Sequence, residues 1–221
     1  MKELVESLVA ARVLKTKRLI NAFLANDRVK FVPEEWASDS YLDVAIPIGL
    51  EQTISQPYTV AFMLELLDVQ AGQKVLDVGF GSGWTTGILA HAVGDAGKVY
   101  SLEISPELYE FGKSNLAKFG YKNVELFNRS GWDGLPDTAP FDRILVSATA
   151  PAVPGNLKAQ LKVHGPFGKA QGRLERSRNG GKMVIPIGVP NDCAITLVER
   201  VSDDEFKEKT FPGFAFVPLT E

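Results

Sequence analysis

Apolar and polar positions follow two different rhythms along this chain, and the change falls at Lys74. Before it, apolar residues recur at helical spacing: Leu4, Leu8 and Ala11 in one stretch, then Leu19 and Phe23 with Leu24 beside it. These patterns predict helices over 2–13 and 17–25. A turn-rich passage runs from Phe31 to Gly49, and Pro57, tolerated in a first helical turn, leads into an apolar helix over 58–67.

From Lys74 the rhythm becomes short apolar strands alternating with helical stretches. Strands are expected over 74–78, 99–104, 124–127, 142–147 and 183–187, with helices over 84–93, 106–119 and 153–161. Two further strands, 194–201 and 214–219, have no helix between them, which suggests an antiparallel addition at one end. Alternation of this kind builds a parallel sheet covered by helices on both faces. The expected class is α/β: a doubly wound, mostly parallel sheet with an antiparallel end and an N-terminal helical extension. A single domain spans 1–221, with the extension over 1–67 and the α/β core over 68–221.

The run Lys74-Val-Leu-Asp-Val-Gly-Phe-Gly-Ser-Gly-Trp84 carries the candidate chemistry. An apolar strand reaches Asp77, and Gly79, Gly81 and Gly83 follow at alternate positions. Such a turn lets a ligand lie against bare backbone, with a helix N-terminus facing its negative charge. It also serves as a plain tight connection between strand and helix. Twenty residues beyond Gly83, the strand Lys98-Val-Tyr-Ser-Leu-Glu103 ends in an acid that can accept hydrogen bonds from both ribose hydroxyls. The dinucleotide fingerprint needs a glycine where Trp84 stands. A nucleoside site without a pyrophosphate signature points to S-adenosylmethionine, which carries no phosphate.

Composition narrows the setting. The 45% hydrophobic content supplies a core, and a net charge of −3 gives no general field favouring nucleic acid or anionic membrane. No apolar run is long enough to span a bilayer, and the N-terminal stretch alternates charge and apolar residues as no signal peptide does. Cys193 stands alone and in a strand pattern, so it reads as a small core residue. A cytoplasmic protein without a metal is expected. Between Leu161 and Met183 lies a stretch of about twenty residues, longer than a structureless loop usually runs. Its Lys162, His164, Lys169, Arg173, Arg176, Arg178 and Lys182 face a single acid, Glu175. It reads as a solvated, mobile loop, or as a clamp for an acidic peptide or nucleic acid, though no aromatic row supports RNA stacking. With His91 in a helix pattern and His164 in this loop, a histidine-driven hydrolase has little support.

The chain also resembles the protein-L-isoaspartate O-methyltransferases, and nearly throughout. Phe31-Val-Pro, Ile46-Pro-Ile-Gly49, Gln52-Thr-Ile-Ser-Gln-Pro57, Leu76-Asp-Val-Gly-Phe-Gly-Ser-Gly-Trp-Thr85, Phe141-Asp-Arg-Ile-Leu-Val-Ser-Ala148, Val184-Ile-Pro-Ile-Gly188 and Phe216-Val-Pro-Leu219 stand in the family's order. The glycine turn is common to class I methyltransferases, whereas Thr-Ile-Ser-Gln-Pro and Phe-Val-Pro-Leu are far more specific. The resemblance implies a class I methyltransferase fold, S-adenosylmethionine as cofactor, and the α-carboxylate of L-isoaspartyl residues in damaged proteins as acceptor. It implies that Ser55 is the active-site hydroxyl, and that Gly79, Gly81, Ser82, Gly83 and Glu103 hold the cofactor. Thr53, Ile54, Ser147, Ala148, Val217 and Pro218 then line the peptide site.

A carboxylate is ionised at neutral pH, so methylating it needs alignment rather than a strong base. From local sequence alone, Ser55 also fits as a cap for the helix that follows. Four departures from the family pattern stand out. Tyr58 replaces a histidine found in many members, and Phe80 fills a turn position usually held by a small residue. Asn128-Arg-Ser-Gly131 replaces Gly-Asp-Gly, placing Ser130 where an acid meets the adenine amino group. The long basic loop replaces a short Pro-Gly-Gly turn. These changes leave two alternatives open: a paralogue that methylates a different acceptor, and a cofactor-binding protein without isoaspartyl turnover.

Overall fold

The structure, a computed structural model, describes residues 1–163, 180–190 and 192–220. Helices α1 (Lys2–Ala10) and α2 (Lys17–Ala25) turn their apolar stripes inward, burying Leu4, Val5 and Leu8 of one and Leu19, Ala22 and Phe23 of the other. A short hairpin, β1 (Ile46–Gly49) with β2 (Gln52–Ile54), stands where the sequence showed only turns. Its tip is made by Leu50 and Glu51 at φ 51° and 58°, without the Asn-Gly pair that signals such a turn. Helix α3 (Pro57–Leu67) starts on Pro57 as the sequence requires.

The α/β core runs β3 (Lys74–Val78), α4 (Trp84–Val93), β4 (Lys98–Glu103), α5 (Pro106–Ala117), β5 (Val124–Asn128), β6 (Arg143–Val146), α6 (Gly155–Ala159), β7 (Lys182–Val189), β8 (Asp192–Arg200) and β9 (Phe206–Phe214). One sheet holds these strands in the order β5-β4-β3-β6-β7-β8-β9. The ladders are parallel from β5 to β7, and β8 and β9 join antiparallel. The expected doubly wound sheet with an antiparallel end is therefore present.

Side-chain alternation divides the core in two. Val75, Val99, Leu145, Val184 and Ile195 face α1 to α5, whereas Leu76, Leu102, Ile144, Met183 and Ile185 face Leu135, Phe141, Leu157 and Leu161 on the other side. A strand such as β3, buried from Val75 to Val78, is covered on both faces.

The last strand is a correction. Residues 206–214, not 214–219, form it, and Val217 and Leu219 instead exchange backbone hydrogen bonds with Thr149 at 2.7 and 2.8 Å. Strand β9 carries Lys207, Glu208 and Lys209 along an exposed edge, so charge hid its strand pattern. The expected helix over 153–161 shrinks to α6, because Leu161 bridges to Phe141 instead. Residues 164–179 of the basic loop, with His164, Lys169, Arg173, Glu175, Arg176 and Arg178, lie outside the described residues. At its described ends, Lys162 pairs with Asp142 at 2.8 Å and Lys182 with Glu199 at 3.3 Å, so both cations are neutralised within the fold.

The N-terminal helices dock on α4 through Asn26. Its carbonyl accepts Trp84 Nε1 at 3.0 Å, its Oδ1 accepts the Tyr121 hydroxyl at 2.9 Å, and its Nδ2 donates to Ala22 O at 2.8 Å. Gly87 makes room, since a Cβ there would lie 2.3 Å from Asn26 Oδ1. Gly87→Ala is expected to destabilise the fold by about 1–2 kcal/mol, overpacking outweighing the gain in helix propensity. The urea midpoint should fall at constant slope, and an unchanged midpoint would show that the α2 layer yields freely.

Candidate active site

The three expected glycines do different work. Gly79, Gly81 and Gly83 all have positive φ, at 79°, 47° and 86°. The amides of Gly79 and Phe80 donate to Leu102 O of β4 at 2.8 and 3.2 Å, which curls the turn back over the sheet. Gly83 begins α4 and is pressed against α5: a Cβ there would meet Leu116 Cγ at 2.9 Å and Gly112 O at 3.0 Å. Gly112 is equally confined, its Cβ position lying 2.3 Å from Gly81 O and 2.6 Å from the Phe80 ring. Phe80 is buried against this glycine and the Tyr109 ring, so α5 accommodates the bulky residue in the turn. Asn115 of the same helix donates to Ser82 O at 3.0 Å.

Two acids stand behind the turn. Glu103 is buried, and each of its oxygens accepts one backbone amide: Oε2 from Gly81 at 2.9 Å and Oε1 from Ser105 at 3.0 Å. Each oxygen retains a further lone pair for a ligand hydroxyl. Asp77, fully buried, points to the α4 face of β3. Its Oδ2 accepts Thr86 Oγ1 at 2.6 Å, and Thr86 in turn lies 3.2 Å from Ser101 Oγ. Its Oδ1 has no partner among the described residues. Burial pushes its carboxyl up to about 7, the Thr86 hydrogen bond pulling back and Glu103 adding repulsion.

Above these groups lie two adjoining cavities of about 190 and 610 Å³. The first is lined by Gly79, Gly81, Ser82, Glu103, Ile104 and Gly131, and also by Ile54, Ala148 and Pro218. The second is bordered by Asp43, Gln56, Tyr58 and Phe214. Thr53, Ser55, Ser147 and Val217 line both. The structure thus brings together the expected cofactor and peptide residues, with Ser55 on the shared wall. Gly83 stays outside the linings as a packing glycine.

Ser130 is also outside both linings. Its hydroxyl donates to Thr220 O and accepts Trp132 N, both at 3.2 Å, while its neighbour Gly131 borders the first cavity. This hydroxyl thus ties the loop after β5 to the C-terminal segment, whose Leu219 and Thr220 line that cavity.

Ser55 caps nothing. The N-terminal amide of Tyr58 in α3 is held by Asp43 Oδ1 at 2.7 Å, and Ser55 Oγ has no hydrogen-bond partner among the described residues. Sequence reasoning missed Asp43, which caps α3 and borders the second cavity. Nothing local marks it, because its partner lies fifteen residues on.

The residues fit S-adenosylmethionine. Bare glycine backbone faces the cavity, Glu103 offers ribose acceptors, Ile104 and Leu108 give apolar walls, and no pyrophosphate fingerprint is present. Fold and site together define an S-adenosylmethionine-dependent methyltransferase of class I. The family model for protein-L-isoaspartate(D-aspartate) O-methyltransferases matches residues 1–168, and the chain belongs to that family.

Its relatives agree. A protein-L-isoaspartate O-methyltransferase from Methanopyrus kandleri is 42% identical over 217 residues, covering 98% of this chain and 89% of its own. One from Aeropyrum pernix is 41% identical over 217 residues, covering 98% and 77%. A solved protein-L-isoaspartate O-methyltransferase superposes with a TM-score of 0.84 at 25% identity, over all of this chain and 66% of that one. A Plasmodium falciparum structure in complex with S-adenosyl-L-homocysteine shares the fold, with a TM-score of 0.80 at 22% identity over 99% and 97% of the two chains.

Glu103→Ala is expected to weaken S-adenosylmethionine binding by roughly 1.5–3 kcal/mol, the worth of hydrogen bonds to a charged acceptor. Calorimetric titration checks this, and equal affinities would assign the ribose to other groups.

Asp77 gives a pH signature. Its pKa is raised on folding from 3.8 to about 7, so the native state holds the extra proton between these values. Over that window the group's contribution to stability falls as pH rises, and it levels off above about 7. The stability of Asp77→Asn relative to wild type should therefore climb from pH 4 to pH 7 and then flatten. Parallel unfolding midpoints across this range would refute the buried proton.

Proposed function

We propose that this chain transfers a methyl group from S-adenosylmethionine to the α-carboxylate of L-isoaspartyl residues in damaged proteins, with Ser55 aligning the acceptor. The observation that carries the reading is the wall common to both cavities. Thr53, Ser55, Ser147 and Val217 border the glycine turn on one side and the open acceptor cavity on the other. A group held on that wall reaches donor and acceptor at once.

When bound, the cofactor supplies an electrophilic methyl on a sulfonium centre. The glycine backbone and Glu103 hold the donor from below, and Ile104 and Leu108 keep its surroundings apolar. Ser55 Oγ, without a partner among the described residues, can donate to one oxygen of an acceptor carboxylate and leave the other free to attack. No residue has to remove a proton, since the acceptor is already an anion at neutral pH. Thr53, Ser147 and Val217 border the acceptor cavity and would meet the peptide, while Ile54, Ala148 and Pro218 line the adjoining donor cavity. In the methyl ester so formed, the neighbouring backbone nitrogen attacks the ester carbonyl and displaces methanol, the amide proton leaving with it, and this succinimide closure needs no further help from the enzyme. The net charge of −3 supports a protein acceptor over nucleic acid, and the single buried cysteine supports a cytoplasmic setting. No helix among the described residues is long and apolar enough to cross a membrane.

Methyl transfer to an isoaspartyl peptide, measured beside its aspartyl twin, tests the function. Turnover confined to the isoaspartyl peptide is expected, and equal or absent turnover on both would point to another acceptor. Ser55→Ala should lower kcat about tenfold while cofactor affinity stays within about twofold, as expected for a group used only in alignment. An unaltered kcat in the folded variant would remove Ser55 from the reaction.

A further inference from the structure

Arg28 is fully buried, in a 3₁₀ turn just after α2, and none of its donors meets a carboxylate among the described residues. Its guanidinium instead forks onto four backbone carbonyls. Nη1 donates to Ser40 O at 2.9 Å and to Leu42 O at 3.2 Å, while Nη2 donates to Val44 O at 2.9 Å and to Ser55 O at 3.1 Å. The same group lies 5.2 Å from the centre of the Trp84 ring. Trp84 is the first residue of α4, immediately beyond the glycine turn, and its own Nε1 is fixed on Asn26 O at 3.0 Å. A single side chain therefore touches the start of the cofactor helix and the backbone of the acceptor hydroxyl.

The segment it holds is also tied at Asp43, whose Oδ1 accepts Tyr58 N at 2.7 Å and whose carbonyl accepts Gln56 Nε2 at 3.0 Å. Leu42 and Val44 are 53% and 46% exposed, and Asp43 and Val44 border the second cavity. Those ties join the segment to the start of α3, whereas the planar fork of Arg28, with paired acceptors, fixes its distance and tilt relative to α4. Burial lowers the Arg28 pKa to about 10, with Asp43 opposing the shift, so the fork stays charged at neutral pH.

The geometry points to Arg28 as a positioning residue that sets Ser55 and the cavity wall at Asp43 and Val44 at their working distance from the cofactor turn. This inference rests on the reading of Ser55 as the acceptor-aligning hydroxyl. Arg28 touches neither cavity, and its influence passes through the Ser55 backbone.

The test uses the full chain with Arg28→Lys and Arg28→Met, alone and combined with Ser55→Ala. Lysine keeps the charge but offers a point instead of a fork, so it cannot span two pairs of carbonyls. Both single variants are expected to lose about tenfold or more in kcat on an isoaspartyl peptide at saturation, with the S-adenosylmethionine dissociation constant within about twofold of wild type. In the Ser55→Ala background the Arg28→Lys loss should shrink to about twofold or less, because the group it positions is gone. An unchanged kcat in folded Arg28→Lys overturns the inference. So does cofactor affinity that falls in step with kcat, which would make Arg28 a support of the glycine turn. An equal loss in both backgrounds, or failure of both variants to fold, reduces Arg28 to a determinant of general stability. If Ser55→Ala alone leaves kcat intact, the reading of Ser55 is what fails, and that result is visible before any Arg28 variant is made.

Discussion

The sheet reverses its order at β3, and the site depends on that reversal. Right-handed crossovers carry the chain from β3 outward to β4 and β5, and later ones carry it the other way through β6 and β7. The turns that leave β3 and β6 must therefore splay apart, and a crevice opens at the carboxyl ends of the strands. Gly79 stands at one lip and Ser147 at the other, with their nearest atoms 4.0 Å apart when a Cβ is built on Gly79. Neither Glu103 nor the C-terminal Val217–Thr220 segment would have a space to border if the crossovers all ran one way.

The buried ionisable groups divide by task. On the cofactor side, Glu103 fixes the backbone of Gly81 and Ser105, and Asp77 stands behind the turn on the Thr86 hydroxyl, with one oxygen unmatched among the described residues. On the acceptor side, a cation acts on backbone, as Arg28 gathers four carbonyls from a segment with little regular structure. Irregular chain can be held in place only where its polar groups find partners, and here those partners come from the turn after α2 and from the start of α3. Ser55, the group with no such duty among the described residues, is left free to meet a substrate.

Much of this was legible in the sequence, for identifiable reasons. β3 and its turn carry a signal that depends on neighbours in the chain, namely apolar alternation followed by glycines at fixed spacing. Glu103 was placed by the same logic at the end of the next strand. The features that escaped depend on distant partners or on residues that mask their pattern. The β1–β2 hairpin turns on Leu50 and Glu51 rather than glycine, and β9 hides its alternation under lysine and glutamate. Ser130 was assigned by position in a motif, but its hydroxyl is taken by Thr220, ninety residues along the chain. Arg28, between Asp27 and Val29, looks like an ordinary surface charge, and only carbonyls twelve to twenty-seven residues away reveal it as buried.

The contact between Phe80 and Gly112 bears on how this chain can change over generations. A small residue at 80 would leave a void beside α5, while any side chain at 112 would strike the Phe80 ring or the carbonyl of Gly81. Neither position can change alone at no cost in packing, and 112 stays closed to a side chain whatever stands at 80, because the Gly81 carbonyl lies 2.3 Å from its Cβ position. Position 112 faces away from the cavity that Leu108 of the same helix lines, yet the turn leaves it no freedom to vary. The ligand-facing turn thus restricts the evolution of a surface helix, and its imprint should be sought there as well as at the site.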